Sequence, residues 1–387
     1  MRHYDDLETR SAEAREAGQL AQLRALGHEL TSLADLAALP VLRKSELAER
    51  QRAEPPFGGL AGAGWHHVFQ SPGPIYEPGG TAPDWWRFGR FFHALGIGAA
   101  DIVQNCFGYH LTPAGLMLEN GARAVGARVL PAGTGQTELQ VQAAAHVGTT
   151  AYAGTPDYLK VLLDAAEAAG LPLKIAKAAV SGGALFPQLR AFYAERGILC
   201  LQCYATADLG HVAYETATDG APNEGMIVDE GVIVEIVRPG TGDPVPEGEV
   251  GEVVVTALNP DYPLLRFATG DLSAVLPGRS PCGRTNTRIV GWRGRADQTA
   301  KIKGMFVRPE QVAALVAAAP GVRRARVIAE REGDADSMRV LIEGGDPAAV
   351  EALLPVHLKL RGRVETAPPE GLPNDGLLIE DRRDYGA

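Results

Sequence analysis

The chain has 387 residues, of which 45% are hydrophobic and 22% are charged, and its formal net charge is −10 at pH 7. This composition excludes collagen-like, coiled-coil and wholly disordered chains, and the length predicts two domains of unequal size. Because an acidic chain lacks the basic face that phosphate neutralisation requires, we expect no nucleic-acid partner. The first ten residues carry no signal-peptide core and the apolar run 312–319 is too short to span a bilayer, so we expect no membrane partner.

The cysteine content favours a reduced, cytoplasmic protein. Four cysteines, at positions 106, 200, 203 and 282, do not make a disulfide framework in a chain of this length. Cys200 and Cys203 have the C-x₂-C spacing of some zinc sites, but the sequence offers no second ligand pair and positions three apart on a strand point to opposite faces. Buried thiols are favoured there, and zinc stays open as the less favoured alternative.

In chain order, helices and loops over the first 60 residues give way, from about residue 87, to alternating helices and short apolar strands. The clearest helix follows Thr155, has Pro156 in its first turn and stops at Gly170. The other helices predicted here cover 85–95, 111–125 and 186–196. The predicted strands are 101–106, 127–130, 149–153, 177–181 and 198–204. This alternation predicts a mainly parallel sheet covered by helices.

The pattern of predicted secondary structure changes after residue 225. Two β-rich runs around Asp229-Glu230-Gly231 predict a hairpin over 226–237, and 249–257 predicts a further strand of an antiparallel β-subdomain. A compact α+β unit follows, with helices 309–319 and 347–360 and strands 324–330, 338–343 and 363–367. We therefore predict an α/β fold with a large N-terminal domain, 1–295, of mainly parallel sheets and a β-subdomain, and a small α+β C-terminal domain, 296–387.

Four short motifs supply the candidate chemistry. They are Ser181-Gly182-Gly183-Ala184, Tyr204-Ala205-Thr206-Ala207-Asp208, the segment 266–271, and Gly294-Arg295-Ala296-Asp297 with 301–304 after it. Two of them directly follow predicted parallel strands, whose carboxyl ends bind ligands in open α/β sheets. Glycine allows a close approach of backbone to ligand, and Asp208 could hold Mg²⁺. Taken singly, each motif is better explained by turn glycines and a solvated aspartate.

Together, in this order and spacing, the motifs resemble the phenylacetate–CoA ligase family of the adenylate-forming superfamily. The resemblance extends over nearly the whole chain and is most specific at 109–115, 264–272 and 288–309. It implies that ATP activates a carboxylic acid, often aromatic, as an acyl-adenylate with release of pyrophosphate, and that CoA then accepts the acyl group. It also implies that the small C-terminal domain rotates between the two half-reactions.

The resemblance assigns roles to individual positions. Tyr204 would stack near the adenine, Asp271 would bind the ribose, and Asp208 stands where the family commonly has a glutamate near Mg²⁺. The nucleotide-binding residues that it implies are Ser181, Gly182, Gly183, Ala184, Tyr204, Ala205, Thr206, Ala207, Asp271 and Gly304. The implied catalytic residues are Asp208, the phosphate contacts Arg288 and Arg295, the hinge residue Asp297, and Lys303 on the loop that faces the site during thioester formation. The acid would contact Phe107, Tyr109, His110, Tyr152, Gly154 and Thr155, although core packing explains Phe107 equally well.

Two departures from the family pattern keep a second function open. The place of the phosphate-binding loop, 70–80, contains prolines without N–H donors, no lysine, and Glu77, which would repel phosphate; Ser71 and Gly73 could still form a reduced clasp. Leu377 follows Gly376, where the family has a catalytic lysine. The chain is therefore an AMP-forming acid–CoA ligase, a member with lost or weakened adenylation that transfers acyl groups or binds nucleotide or acyl-CoA, or a non-catalytic binding module. The sequence specifies neither the acid nor the oligomeric state, so a homodimer stays open.

Overall fold

The computed structural model describes residues 11–71, 75–333, 335–368, 371–373 and 377–383. The chain divides into two compact units. The larger unit extends to Thr269 and also includes Ser273–Trp292, and the smaller unit consists of Gly270–Leu272 and the chain from Arg293 onward. Both helices and sheets, parallel and antiparallel, contribute to the fold, so the predicted α/β class is confirmed.

Short elements form the N-terminal part of the larger unit. Helix α1 begins where the Ser11 side chain accepts a hydrogen bond from the backbone N–H of Ala14 at 3.2 Å. A 3₁₀ helix, Leu33–Ala38, follows, and the carboxylate of Asp35 accepts bonds from the residues before it. The elements of this part are α1 (Ala12–Ala25), β1 (Leu42–Arg43), α2 (Lys44–Ala53), β2 (Trp65–Ser71), β3 (Ile75–Gly80) and α3 (Gly89–Ala94).

Two features of this part differ from the sequence-based expectation. The helix predicted over 85–95 begins only at Gly89, because Asp84 and Arg87 adopt left-handed backbone conformations with φ of 56° and 69°. The segment expected to form a phosphate-binding loop contributes instead to the antiparallel hairpin of β2 and β3, in which Gln70 pairs with Tyr76. Gly73, the expected partner of Ser71 in a reduced clasp, lies outside the described residues.

The main sheet of the larger unit carries the predicted parallel strands. Its helices are α4 (Ala114–Ala124), α5 (Thr137–Val147), α6 (Pro156–Ala168) and α7 (Pro187–Glu195). Its first strands are β4 (Ile102–Asn105), β5 (Arg128–Pro131), β6 (Ala151–Gly154), β7 (Lys177–Val180), β8 (Leu199–Thr206) and β9 (Gly210–Tyr214). Strands β5, β4, β6, β7 and β8 lie side by side and parallel, and β9 pairs antiparallel with β8.

The predicted strands and helices of this sheet are confirmed within a few residues, but α5 is absent from the sequence-based prediction. Its apolar side chains are a poor guide to its buried face, because Leu139 is 60% exposed and Val147 is 44% exposed, whereas Gln140 is buried. The Gln140 amide donates to three backbone carbonyls of the preceding turn, the closest at 2.7 Å. Because Gln140 shares the buried face with Val141 and Ala144, the apolar period of this helix is short and hard to detect in the sequence.

The β-subdomain is present, but the hairpin predicted over 226–237 is wrong. Strand β12 (Met226–Val228) pairs with β9 and with β17 (Arg288–Ile289) in the main sheet. In contrast, β13 (Val232–Val237) pairs with β14 (Gly251–Ala257) in a separate sheet of order β1-β15-β14-β13, in which β15 is Leu264–Ser273. The turn between them directs the chain from one sheet to the other, since Asp229 is buried and its carboxylate accepts from the N–H of Gly231 at 2.8 Å. The strands are β10 (Ala217–Thr218), β11 (Ala221–Pro222), β12 (Met226–Val228), β13 (Val232–Val237), β14 (Gly251–Ala257), β15 (Leu264–Ser273), β16 (Val275–Leu276) and β17 (Arg288–Ile289).

The smaller unit has its own hydrophobic core, as the predicted α+β pattern requires. Its helices are α8 (Pro309–Ala318) and α9 (Pro347–His357). Its strands are β18 (Ala300–Ile302), β19 (Met305–Val307), β20 (Val322–Glu332), β21 (Ala335–Gly344), β22 (Arg363–Thr366) and β23 (Ile379–Asp381). The four-stranded sheet of order β22-β21-β20-β23 and both helices bury apolar side chains such as Leu315, Val340 and Leu354 against one another. Within the described ranges, no helix combines the length and the apolar character that crossing a membrane requires.

Candidate functional site

Three loops meet at the carboxyl edge of the parallel strands. A side-chain carbon at Gly182, after β7, would lie 3.5 Å from the Phe107 ring and 3.8 Å from the Thr155 methyl group, which follow β4 and β6. Gly182 has a φ of +71°, a conformation that glycine adopts without strain. Gly182 and Gly183 are both exposed, so this edge leaves backbone open at the surface.

The glycine loop is anchored from β8. The Ser181 hydroxyl is buried and donates to the carbonyl oxygen of Cys203 at 3.0 Å, and the Gln202 side chain donates to the Gly183 carbonyl at 2.8 Å. The Ser181 hydroxyl therefore anchors the loop to β8. Ala184 and Tyr204 are half-buried beside these anchors.

The segment after Tyr204 ends in a buried carboxylate. Ala205, Thr206 and Ala207 are half-buried, and the Thr206 hydroxyl accepts from the N–H of Leu209 at 3.1 Å, which closes the turn. The side chain of Asp208 has no exposed surface, and its Oδ2 lies 3.0 Å from the Nζ of Lys44, the first residue of α2. Burying a carboxylate is costly unless a cation faces it, and Lys44 provides that charge.

A second buried carboxylate, Glu77 on β3, belongs to the same cluster. Glu77 is 1% exposed, and the Ser71 hydroxyl donates to its Oε1 at 2.5 Å. Burial and the charge of Asp208 raise the pKa of Glu77 to about 8, despite the opposing effects of Ser71 and Lys44. Burial, Asp208 and Glu77 likewise raise the pKa of the Tyr262 phenol, whose oxygen has no hydrogen-bond partner among the described residues. At neutral pH the cluster therefore holds a neutral Glu77 beside the ion pair of Asp208 and Lys44.

The donor set of this cluster fits Mg²⁺ in part. Asp208 Oδ1 and Glu77 Oε2 are buried oxygens without a hydrogen-bond partner in the described chain, and Mg²⁺ prefers oxygen ligands. The described residues hold no group of three His, Cys, Asp or Glu side chains that could bind a metal by themselves. Mg²⁺ commonly uses one or two carboxylates and takes its remaining ligands from water and substrate phosphates, so Asp208 is compatible with that mode.

The residues expected to line an acid pocket have different environments. Tyr109 is half-buried, and its hydroxyl donates to Glu119 at 3.0 Å and accepts from Asn105 at 2.8 Å. Tyr152 is fully buried and donates to the Thr155 carbonyl at 2.9 Å. The Tyr152 hydroxyl also requires a glycine at position 154, since a side-chain carbon there would lie 2.0 Å away. His110 is exposed and Phe107, Tyr109 and Thr155 are half-buried, so these four members of the set have open surface.

Arg288, expected to contact phosphate, is buried and hydrogen-bonded to backbone carbonyls. It is 7% exposed, and its guanidinium donates to the backbone carbonyls of Glu224, Pro277 and Gly278 at 3.2, 2.7 and 3.3 Å. These bonds hold the 277–288 loop closed against its neighbours. They account for the burial of an arginine without invoking a phosphate.

In the smaller unit, Arg295 joins two of the expected site residues. Its Nη1 donates to Asp271 Oδ1 at 3.1 Å, and its Nε and Nη2 donate to the two carboxylate oxygens of Asp297 at 3.1 and 2.7 Å. Although burial opposes ionisation, the bonds from Arg295 hold the pKa of Asp297 below its usual value. The Asp297 carboxylate also accepts from the backbone N–H of Thr299 at 3.0 Å. It therefore links the Arg295 side chain to the backbone two residues after Asp297.

The remaining expected residues of this unit lie in a hairpin turn and near the C-terminus. Lys303 and Gly304 form the turn between β18 and β19 with φ of 49° and 80°, and the Lys303 N–H donates to Asp336 at 3.0 Å. Leu377 is 40% exposed and lines a cavity of about 320 Å³ with Leu372 and Leu378. Gly376, which precedes it, lies outside the described residues.

Sequence reasoning missed Lys44 and did not expect Glu77 to be buried. Lys44 looks like an ordinary helix-start lysine, and nothing in its local sequence pairs it with Asp208. The cysteines, in contrast, are as expected: Cys200 and Cys203 are buried, and burial raises the pKa of the Cys203 thiol to about 12.

The chain is similar to known proteins both in sequence and in fold. A family model described as AMP-binding enzyme matches residues 107–259. Phenylacetate-coenzyme A ligase from Thermus thermophilus is 30% identical over 339 residues, which cover 81% of this chain and 73% of that protein. The protein of the same name from Aromatoleum evansii is 30% identical over 354 residues, 84% of this chain and 77% of the other. Among solved structures, 2-hydroxyisobutyryl-CoA ligase in complex with 2-HIB-AMP and CoA has a similar fold, with a TM-score of 0.79 at 24% identity over 98% of this chain and 92% of that one.

The burial of Glu77 predicts a specific dependence of stability on pH. Because its folded-state pKa is raised, the stability that Glu77 contributes is fully present below the unfolded pKa of 4.5 and is lost as the pH rises to about 8. Glu77→Gln mimics the protonated form at every pH. We therefore expect the free energy of unfolding of the variant to rise relative to that of the native protein as the pH increases from 4.5 to 8. The total change in this difference should be at most about 5 kcal/mol.

Urea denaturation at pH 4.5, 6 and 8 measures this difference. Glu49→Gln, which changes an exposed carboxylate of α2, is the matched control and should track the native protein. A constant difference between Glu77→Gln and the native protein at all three pH values would show that Glu77 is ionised in the folded state.

Proposed function

Because the chain belongs to the phenylacetate–CoA ligase family, we propose that it activates an aryl or other organic acid as an acyl-adenylate and transfers the acyl group to CoA. The relatives confirm the resemblance inferred from the sequence motifs, and with it an AMP-forming CoA ligase of the adenylate-forming superfamily. The identity of the acid and the efficiency of the adenylation step go beyond those relatives. The observation that carries the proposal is the convergence of the Gly182 loop, Phe107 and Thr155 at one sheet edge, with Asp208 at the end of the neighbouring strand.

In this proposal, residues of the larger unit contact the adenine, the acid and Mg²⁺. The exposed backbone at Gly182 and Gly183 would lie against the adenine, and the open surface of Phe107, Thr155 and His110 would contact the acid. Asp208 would supply an oxygen ligand to Mg²⁺, and Lys44 balances its charge when the metal is absent. When bound, Mg²⁺ would neutralise the charge of the ATP phosphates.

The reaction would proceed in two displacements. The acid carboxylate would attack the α-phosphorus of ATP, and pyrophosphate would leave. The CoA thiolate would then attack the acyl carbon, and AMP would leave. Asp271 would accept the ribose hydroxyls, and Arg295, which already contacts Asp271, would supply positive charge beside the nucleotide.

We also propose that the part of the smaller unit after Asp297 changes orientation between these displacements by rotation at Asp297. Hinges absorb motion at a few backbone positions between elements. Asp297 lies between strand β18 and the backbone bridge of Asp271 with Arg295. Its carboxylate accepts two hydrogen bonds from the Arg295 side chain.

Two specific observations favour a second function, in which this chain binds the substrates but catalyses adenylation only weakly. The position of the catalytic lysine holds Leu377, an apolar side chain that lines a cavity together with Leu372, Leu378 and the arginines 323, 324 and 326. The segment in the place of the phosphate loop includes a strand whose Glu77 is turned inward. The experiment that separates the two functions is acid-dependent exchange of labelled pyrophosphate into ATP over a panel of carboxylic acids.

Asp271→Ala should weaken the binding of AMP and ATP. A charged hydrogen bond contributes about 1.5–3 kcal/mol, so we expect roughly a tenfold to hundredfold rise in the dissociation constant measured by calorimetry. Asp271→Asn keeps one acceptor oxygen and should lie between the two proteins. Unchanged affinity in Asp271→Ala would remove Asp271 from the nucleotide site.

Leu377→Lys should raise acid-dependent pyrophosphate exchange by about tenfold or more, because it restores a cation that can stabilise the transition state. Leu377→Gln, which has a polar side chain without the charge, is the control and should stay at the native rate. Equal exchange in the lysine and glutamine variants would mean that the missing charge at this position does not limit the reaction.

Asp297→Pro should block transfer to CoA while leaving adenylation possible, since proline fixes φ near −65°. Asp297→Ala, which removes the carboxylate alone, is the reference and should retain much more transfer. The assay supplies synthetic phenylacetyl-adenylate and CoA and measures thioester directly, so it does not depend on adenylation. If both variants form thioester at the same rate, the chain does not turn at Asp297.

A further inference from the structure

Arg87 lies buried against the loop that carries Asp208. Its Nη2 donates to the carbonyl oxygen of Leu209 at 2.5 Å and to that of His211 at 3.1 Å, so one guanidinium nitrogen holds two peptide groups just after Asp208. The N–H of His211 donates in return to the Trp86 carbonyl at 3.1 Å. The two segments are therefore joined in both directions.

The conformation of Arg87 indicates that this contact is specified by the fold. Arg87 is 9% exposed and has a φ of +69°, which costs energy for a side chain other than glycine. The turn that imposes this conformation is closed by the N–H of Arg87 to the Asp84 carbonyl at 2.9 Å and by the N–H of Gly89 to the Asp84 carboxylate at 2.8 Å.

Asp229 fixes the guanidinium from the other side. Its Oδ1 lies 3.6 Å from Arg87 Nε, while Arg90 donates to both carboxylate oxygens at 2.9 and 3.0 Å. The Arg87 side chain also fills the space at Gly231, where an added side-chain carbon would lie 2.3 Å from its Cδ. Arg87 and Arg90 thus share one buried carboxylate, but of the two it is Arg87 that donates to the carbonyls of the 208–211 loop.

Asp208 depends on its backbone for its position. Its Oδ1 accepts no hydrogen bond from the described residues, and the cation facing Oδ2 is Lys44, a flexible side chain that is 41% exposed. We propose that Arg87 is a positioning residue: by holding the Leu209 and His211 carbonyls, it fixes the Asp208 carboxylate where Mg²⁺ and the ATP phosphates would meet it. This inference rests on the proposed function, because it takes Asp208 as the metal-binding carboxylate.

The test compares Arg87→Lys with Arg90→Lys. Both variants keep the positive charge beside Asp229, but only the first removes the guanidinium from the loop carbonyls. The first measurement is hydrogen–deuterium exchange of the 206–213 segment in the protein without nucleotide. The second is calorimetric affinity for ATP with and without Mg²⁺, together with the affinity for AMP without Mg²⁺.

We expect Arg87→Lys to exchange faster in 206–213 and to lose about 10- to 100-fold of the affinity that Mg²⁺ adds to ATP binding, as residues that orient metal ligands commonly do. Its AMP affinity should stay within about twofold of the native value, which a general loss of folding would not allow. Arg90→Lys should resemble the native protein in both measurements.

Two results would overturn the assignment. Equal exchange and equal Mg²⁺-dependent affinity in the two variants would mean that Arg87 only balances the charge of Asp229. Faster exchange without any change in Mg²⁺-dependent affinity would mean that the loop is held but that Asp208 is not positioned by it. If the native protein shows no ATP affinity at all, the proposed function fails, and the exchange measurement still decides whether Arg87 holds the loop.

Discussion

The arrangement of the larger unit around its binding edge depends on one constraint: a carboxylate cannot be buried without charge compensation. Asp208 has no exposed side-chain surface, so a cation must face it, and Lys44 does so from the start of α2. Glu77 lies in the same interior region and cannot also ionise without a second cation, so it keeps its proton and shares a bond with Ser71. The N-terminal segment and the β2–β3 hairpin are thereby joined to the segment that follows β8 by charge rather than by apolar contact alone.

The sequence was sufficient for the parallel sheet because the relevant information is local. Helix α6 has its capping position at Thr155, its proline in the first turn and its apolar stripe within one stretch, and strands β7 and β8 are short apolar runs. Loops that follow such strands must emerge at one edge of the sheet, so the order of strands and loops along the chain is enough to predict that these loops meet.

The failures have long-range causes. The hairpin predicted over 226–237 has two good strands, but each pairs with a partner distant in sequence, and pairing of that kind is not visible in the strands themselves. Lys44 and Glu77 likewise take their roles from Asp208, which is far away along the chain. Arg288 shows a different limit of sequence analysis. It stands at a position that the family resemblance assigns to a phosphate contact, but its guanidinium donates to backbone carbonyls. The residue type alone does not distinguish carbonyl partners from phosphate.

Strand β15 has a consequence for how the protein can be divided. Residues 264–269 of this strand belong to the larger unit, whereas Gly270–Leu272 belong to the smaller one. Those three residues exchange backbone hydrogen bonds with the segment that begins at Arg293: Leu272 donates to Gly294, Arg293 donates to Leu272, and Ala296 donates to Gly270. A fragment cut at the sequence boundary would leave these peptide groups without partners and would also lack the Asp271 that Arg295 contacts. The smaller unit is thus discontinuous along the chain, and a faithful excised version would need the 270–272 strand supplied by circular permutation or as a separate peptide.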